Sequence, residues 1–207
     1  MRRADAKAAN RRALLDAATG LIAREGAEVR LEAIADAAGL TTGAIYSIFG
    51  SKSELLVAVL ADEISRVDLG IQGYDPALPL GAVIDRYAQT WIATYSGYTK
   101  TQAAFELHLL LSAVHDEELR LRLTHMLETE VRQLAGLLEN RIIDPARPAH
   151  RTTPQEGMAI AKAIKAVFTG FAMREPFTAD ASGLADLAKQ SCLALTALVR
   201  TPPDAAS

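Results

Sequence analysis

The 207 residues, half of them hydrophobic, 5% aromatic and 23% charged, can bury a sizeable core in one large domain or two small ones, and they exclude a disordered polymer and an aromatic-rich β-sandwich. The net charge of −3 excludes a protein that coats nucleic acid by bulk electrostatics, because such domains are strongly basic. Charge is uneven, however: residues 1–12 gather Arg2, Arg3, Lys7, Arg11 and Arg12 against Asp5 alone, a basic arm on an acidic body.

Leu and Ala dominate the apolar residues, so the expected class is all-α. From Arg12 to Arg24, Leu14, Leu15, Ala18, Leu21 and Ile22 recur at three- and four-residue steps and predict an amphipathic helix ended by Gly26. Asp16 and Arg24 interrupt this stretch, so no secretory signal is expected there. Leu31, Ile34, Ala35 and Ala38 make a second, short helix closed by Gly39 as a left-handed cap. Leu40-Thr41-Thr42 supplies a turn and a hydroxyl cap for a third helix carrying Ile45, Ile48 and Phe49, which Gly50 stops. Ser51-Lys52-Ser53-Glu54 reads as a capping box opening a fourth helix striped by Leu55, Leu56, Val59, Leu60 and Ile64.

The pattern fades at Gly70, Gly73, Pro76 and Pro79, so residues 1–68 form a helical head and 69–200 a larger helical domain. Helices are predicted there over 80–97, 99–114, 116–142, 155–174 and 182–200, about nine in all. Their breaks fall at Gly97, His115-Asp116, the proline-rich 144–154 loop and Pro176, with a disordered tail over 201–207. Cys192 is the only cysteine, which excludes a disulfide framework and a thiolate cage for zinc or iron–sulfur. No run approaches about 18 apolar residues; a soluble, cytoplasmic chain with no membrane partner is expected.

Ala35 at a close crossing, Gly39 at the turn and Ile34, Ile45 and Ile48 on inward faces have the spacing of a helix-turn-helix, whose second helix presents its N-terminal residues to the major groove. An ordinary helical hairpin is the competing reading of those positions alone. The longer run, with Ala17-Ala18, Glu25-Gly26, Ile34-Ala35, Ala38-Gly39, Ile45-Tyr46, Phe49, Ser51-Lys52 and Glu54-Leu55-Leu56 in register, resembles the TetR family of bacterial transcriptional regulators over about residues 11–60. Phe105-Glu106-Leu107 and Asp116 to Arg120 resemble one type of its C-terminal domain. The resemblance implies a three-helix DNA-binding head joined through a linking helix to a domain that binds a ligand and dimerises. It further implies a homodimer on a palindromic double-stranded operator whose C-terminal helices enclose an inducer; repression relieved by a small, largely apolar inducer is the expected mechanism.

Thr41 and Thr42 offer hydroxyls to a phosphate or base edge, Gly43 permits close backbone approach, and Tyr46 stands one turn after Thr42 on the same face. Lys52 is the expected phosphate clamp, Arg30 a further phosphate contact and Ser47 a base-edge candidate. Where many relatives carry a His, Ile48 stands and is expected to pack inward. The third helix has no Arg, Lys, Asn or Gln, so strong bidentate base contacts are unavailable from it. DNA shape, thymine methyls and a disordered Arg2/Arg3 arm entering a groove are expected to add specificity.

Tyr87, Trp91 and Tyr95 on one helix and Phe105, His108 and Leu109 on the next suggest an aromatic-lined ligand pocket, with Met126, Phe168 and Phe171 as further candidates and plain core as the alternative. Ala159, Ala163, Ala166 and Gly170, with Leu184, Leu187, Ser191, Leu195 and Leu198, suit a dimer interface through the last two helices, against burial within one subunit. Enzymatic readings find no support: no His stands three residues after a Glu as di-iron bundles require, and no G-x-S-x-G elbow occurs. No cofactor or metal is expected. A helical adaptor that binds protein after losing DNA readout is the alternative function.

Overall fold

Ala4, Ala6, Ala8 and Ala9 are strong helix formers, and with Asp5 in the first turn they carry the opening helix back to the N-terminus: α1 spans Arg3–Glu25. The computed structural model describes residues 3–66, 74–95, 100–178 and 180–199. The basic arm expected to be disordered is therefore helical from Arg3 onward, while Arg2 lies outside the described residues.

A 3₁₀ turn over Gly26–Glu28 leads to α2 (Leu31–Ala37), α3 (Thr42–Phe49) and α4 (Lys52–Arg66). After them come α5 (Leu80–Tyr95), α6 (Lys100–His115), α7 (Glu117–Leu138), α8 (Pro154–Arg174), a 3₁₀ turn over Glu175–Phe177 and α9 (Ala181–Ala194). The last predicted helix thus ends at Ala194, and the chain tightens to 3₁₀ over Leu195–Val199. No strand occurs among the described residues, only an isolated antiparallel bridge between Ile142 and Arg151. The breaks expected at Gly70, Gly73 and Gly97, and the 201–207 tail, fall outside the described residues.

Two compact units result, the first of residues 1–67 with 99–126, the second of 68–98 with 127–207. In the first, Leu14, Leu15, Ala18, Ile34, Ile45, Leu55 and Val59 form a core that also takes in Phe105, Leu109, Leu119 and Leu123 from α6 and α7. Gly39, at φ +66°, makes the turn between α2 and α3, a backbone conformation that costs any side chain bearing a Cβ. Arg12 bridges α1 and α4 by donating to both Asp16 and Asp62, its Nη1 lying 2.9 Å from Asp62. Its pKa is raised, chiefly by the hydrogen bond to Asp16.

In the second unit, Leu80, Ile84, Tyr87, Trp91, Leu134, Leu138, Ile160, Ile164 and Phe168 pack together. Gly157 lets α8 pass close to α7, since a Cβ there would stand 3.2 Å from the Ala135 carbonyl. α7 stops at Leu138 rather than near residue 142 because two side chains take the carbonyls that a continuing helix would use. Arg141 Nε donates to Leu137 O at 2.7 Å and the Thr152 hydroxyl donates to Leu138 O at 2.5 Å. Asn140 then turns the chain at φ +56°. The buried Arg141 also donates through Nη1 to Asp75 O, anchoring the segment before α5.

Candidate nucleic-acid interface and effector cavity

At the head of α3, Thr41 has extended backbone (φ −106°, ψ 157°) and its hydroxyl accepts from the Ala44 amide at 3.3 Å. That hydrogen bond satisfies one of the amides a helix start leaves open and fixes the threonine beside them. Ile45 is wholly buried, and Ile48 and Phe49 lean on the head core, so α3 is held by that side. Its other side is free: Gly43 and Ser47 are exposed, Tyr46 is 55% exposed and Thr42 is half-buried. Ile48 packs inward, as expected from its place where relatives carry His.

The capping box at Ser51 forms in its first half, with the Glu54 amide donating to Ser51 Oγ at 3.1 Å. The Glu54 carboxylate is turned instead to Arg122 of α7, with which it pairs. Lys52, at the first position of α4, is half-buried and has no ion-pair partner among the described residues. Arg30 precedes α2 with extended backbone, and its exposed side chain makes no capping hydrogen bond.

Of the basic N-terminal cluster, Arg12 is engaged within the fold. Lys7 and Arg11, four residues apart on α1, are exposed, and the Arg11 guanidinium lies 5.3 Å from the centroid of the Phe49 ring at the end of α3. Sequence reasoning counts these two residues in the arm and gives them no place in the site. Their i, i+4 spacing is the available signal once α1 is drawn back to Arg3.

The aromatic candidates divide between the units. Tyr87, Trp91 and Phe168 are buried together in the second: Trp91 stacks on Phe168 with centroids 4.3 Å apart and planes at 19°, and Tyr87 meets the same ring at 6.1 Å. Phe105 is buried in the core of the first unit and Met126 packs against it, so neither shares a cluster with Trp91. His108 departs from the expected apolar face: it is 39% exposed and its Nδ1 lies 3.7 Å from the Glu28 carboxylate. The side chain of Tyr95 lies outside the described residues.

A cavity of about 320 Å³ opens in the second unit between α5, α8 and α9, lined by Trp91 and Phe171 among the named candidates. It is legible in the sequence only in part, because, of its polar lining, Glu175 lies in a 3₁₀ turn and Ser182 in the first turn of α9, where periodicity gives no guide, and Asp186 follows one turn further on.

Along α8 the small-residue stripe faces outward, with Ala159, Ala166 and Gly170 exposed and Ala163 half-buried, while Ile160 and Ile164 point into the core. On α9, Leu187 is 54% exposed, whereas Leu184 and Ser191 are half-buried, as is Leu195 at the start of the 3₁₀ segment that follows; the side chain of Leu198 lies outside the described residues. No single helix among the described residues is long and apolar enough to cross a membrane.

A short helix, a glycine turn and a second helix with a free, hydroxyl-bearing N-terminal face define a helix-turn-helix domain carried on an all-helical chain. Residues 14–59 match the model of the tetR family of bacterial regulatory proteins. Over 65 residues the chain is 38% identical to the HTH-type transcriptional repressor KstR of Mycobacterium tuberculosis, a match covering 31% of this chain and 30% of that repressor. The KstR of Rhodococcus jostii gives the same identity over 31% of each chain. The chain thus spans less than a third of the length of the curated relatives it matches.

The fold is shared over nearly the whole length. A TetR-family transcriptional regulator from Streptomyces coelicolor aligns with a TM-score of 0.67 at 16% identity, over 94% of this chain and 97% of that one. The transcriptional regulator FadR from Bacillus subtilis, in complex with stearoyl-CoA, aligns at 0.64 and 17% identity, over 89% and 97%.

Proposed function

We propose that the chain is a homodimeric, ligand-responsive transcriptional repressor that binds a palindromic operator in the cytoplasm. The observation that carries this reading is the outward face of α3. Thr42, Gly43, Tyr46 and Ser47 lie free there, and Lys52 is left without an ion-pair partner among the described residues. Residues 1–68 would read DNA, with Thr41 and Thr42 at the helix start, Tyr46 and Ser47 toward base edges, and Arg30 and Lys52 on phosphates; Arg3, Lys7 and Arg11 would add phosphate contacts from α1. The similarity of this head to that of KstR, a transcriptional repressor, supports the direction of control.

Residues 69–200 would bind effector and dimerise. The exposed Ala159, Ala166 and Gly170 of α8 and Leu187 of α9 suit close packing against a second copy. Two heads would then enter successive major grooves about 34–36 Å apart. An inducer favouring a different head spacing lowers DNA affinity by its differential binding to the two states, about 1–3 kcal/mol.

A bind-and-sequence selection of ligand-free protein on random duplex DNA at fixed salt tests this reading, and an enriched palindrome is the expected result. A second reading, a helical adaptor for protein, draws on the absence of Arg, Lys, Asn and Gln from α3 and on the exposed Leu107, Leu110, Leu111 and Val114 along α6. No enrichment, repeated after unfolding and refolding to strip bound ligand, would favour the adaptor.

A further inference from the structure

The cavity between α5, α8 and α9 has walls of one kind and a charge of one sign. Trp91, Phe171 and Leu184 give it an apolar lining, and its ionisable groups are Glu175 and Asp186, with no Lys, Arg or His among the described residues that line it. Neither carboxylate has an ion-pair partner among the described residues. The nearby cation on α9, Lys189, is already held by Asp85 at 2.9 Å. Nor does the start of α9 invite an anion: the Asp180 carboxylate accepts from the Gly183 amide at 2.8 Å and occupies that helix end.

We infer that this cavity binds a small molecule with an apolar body and a single cationic centre, such as a lipophilic amine or quaternary ammonium compound, and not an anionic amphiphile. The inference rests on the ligand-responsive reading and names the class of its effector. A carboxylate or phosphate group brought to this cavity would meet two like charges and no compensating base, whereas an ammonium group meets two carboxylates and the Trp91 ring. The volume, at the small end of the roughly 300–1,000 Å³ range of ligand sites, suits a body of about ten carbons.

Trp91 is the only tryptophan in the chain, so its selectively excited emission reports on the surroundings of that one ring, which lines the cavity. The full chain is titrated with decyltrimethylammonium, decanol and decanoate below their micellar concentrations, and operator affinity is measured on the same samples. The cation is expected to bind about tenfold more tightly than the alcohol, with decanoate weaker still. The E175Q/D186N variant should lose that preference while binding decanol as before. Decanoate binding as tightly as the cation, a preference surviving in the double variant, or no fluorescence response to any probe would overturn the assignment. A selective response to the cation with unchanged DNA affinity would instead sustain the cavity's chemistry and remove its role in induction, so the two readings fail separately.

Discussion

Arg122 of α7 forms an ion pair with Glu54 in the first turn of α4, two residues beyond Lys52. Hydrogen bonding to Glu118 is the main cause that raises the Arg122 pKa, with Glu54 adding to it. The two cations near this turn therefore differ in kind, one consumed by the fold and one free of any ion pair among the described residues. Lys52→Ala should weaken binding to all DNA sequences and flatten the slope of log K against log salt by about 1 per contact, or about 2 per symmetric dimer. Arg122→Ala should leave the slope unchanged. Equal slopes in wild type and Lys52→Ala would remove Lys52 from the interface.

Thr41 serves the helix before it serves any partner. Thr41→Ala should cost about 1 kcal/mol of stability through loss of the cap, and Thr41→Ser should restore it, as read by urea unfolding. If both variants unfold like the wild type, the 3.3 Å hydrogen bond to Ala44 contributes nothing in solution.

Gly43 has no backbone need for glycine: a Cβ there would meet only Thr41 Oγ1, at 3.6 Å, an ordinary contact. Gly43→Ala is expected to keep or raise stability by up to about 1 kcal/mol and to lower operator affinity by crowding the approach. Retained affinity, measured by fluorescence anisotropy, would show that α3 does not come close to DNA at this position.

Phe168 is fully buried between Trp91 and Tyr87. Phe168→Ala should cost about 3–5 kcal/mol and alter the Trp91 emission in the folded state, since the indole loses its stacking partner. Calorimetry and fluorescence on one sample check both; a change under about 1 kcal/mol would mean the site collapses around the loss.

Cys192 is wholly buried, and burial pushes its thiol up from 9.0 to about 12. The folded state therefore favours the protonated form. Its contribution to stability is intact below about pH 9 and is lost as pH rises toward 12, because the unfolded thiol ionises first. Alkylation by iodoacetamide at about pH 8 should be slow in buffer and fast in denaturant. Rapid labelling of the native protein would show that the second unit opens readily around α9.

The helical head is legible in the sequence because its signals are local and redundant: Leu14 to Ile22 repeat at helical steps, Gly39 marks the turn and Thr41 caps the next helix. The N-terminal arm misleads because its charge suggests a tether, whereas the alanines between those charges favour helix, and Arg12 meets the carboxylate of Asp62, far along the chain. His108 and Phe105, three apart, share a helix but not an environment, since one faces Glu28 and the other the core of the head. The end of α7 is set by Arg141 and Thr152, a pair eleven residues apart whose meeting leaves no periodic trace. For the same reason the acidic lining of the cavity, drawn from a 3₁₀ turn and the second turn of α9, is not visible in the sequence as a group.

α3 keeps its place through Ile45, Ile48 and Phe49, while positions 43 and 47 carry no part of that load. On the proposed reading, folding and sequence preference would fall to different residues of one eight-residue helix. A library varied at 43 and 47 alone should consist almost entirely of folded proteins, so that whatever this face contacts could be changed without rebuilding what holds the helix.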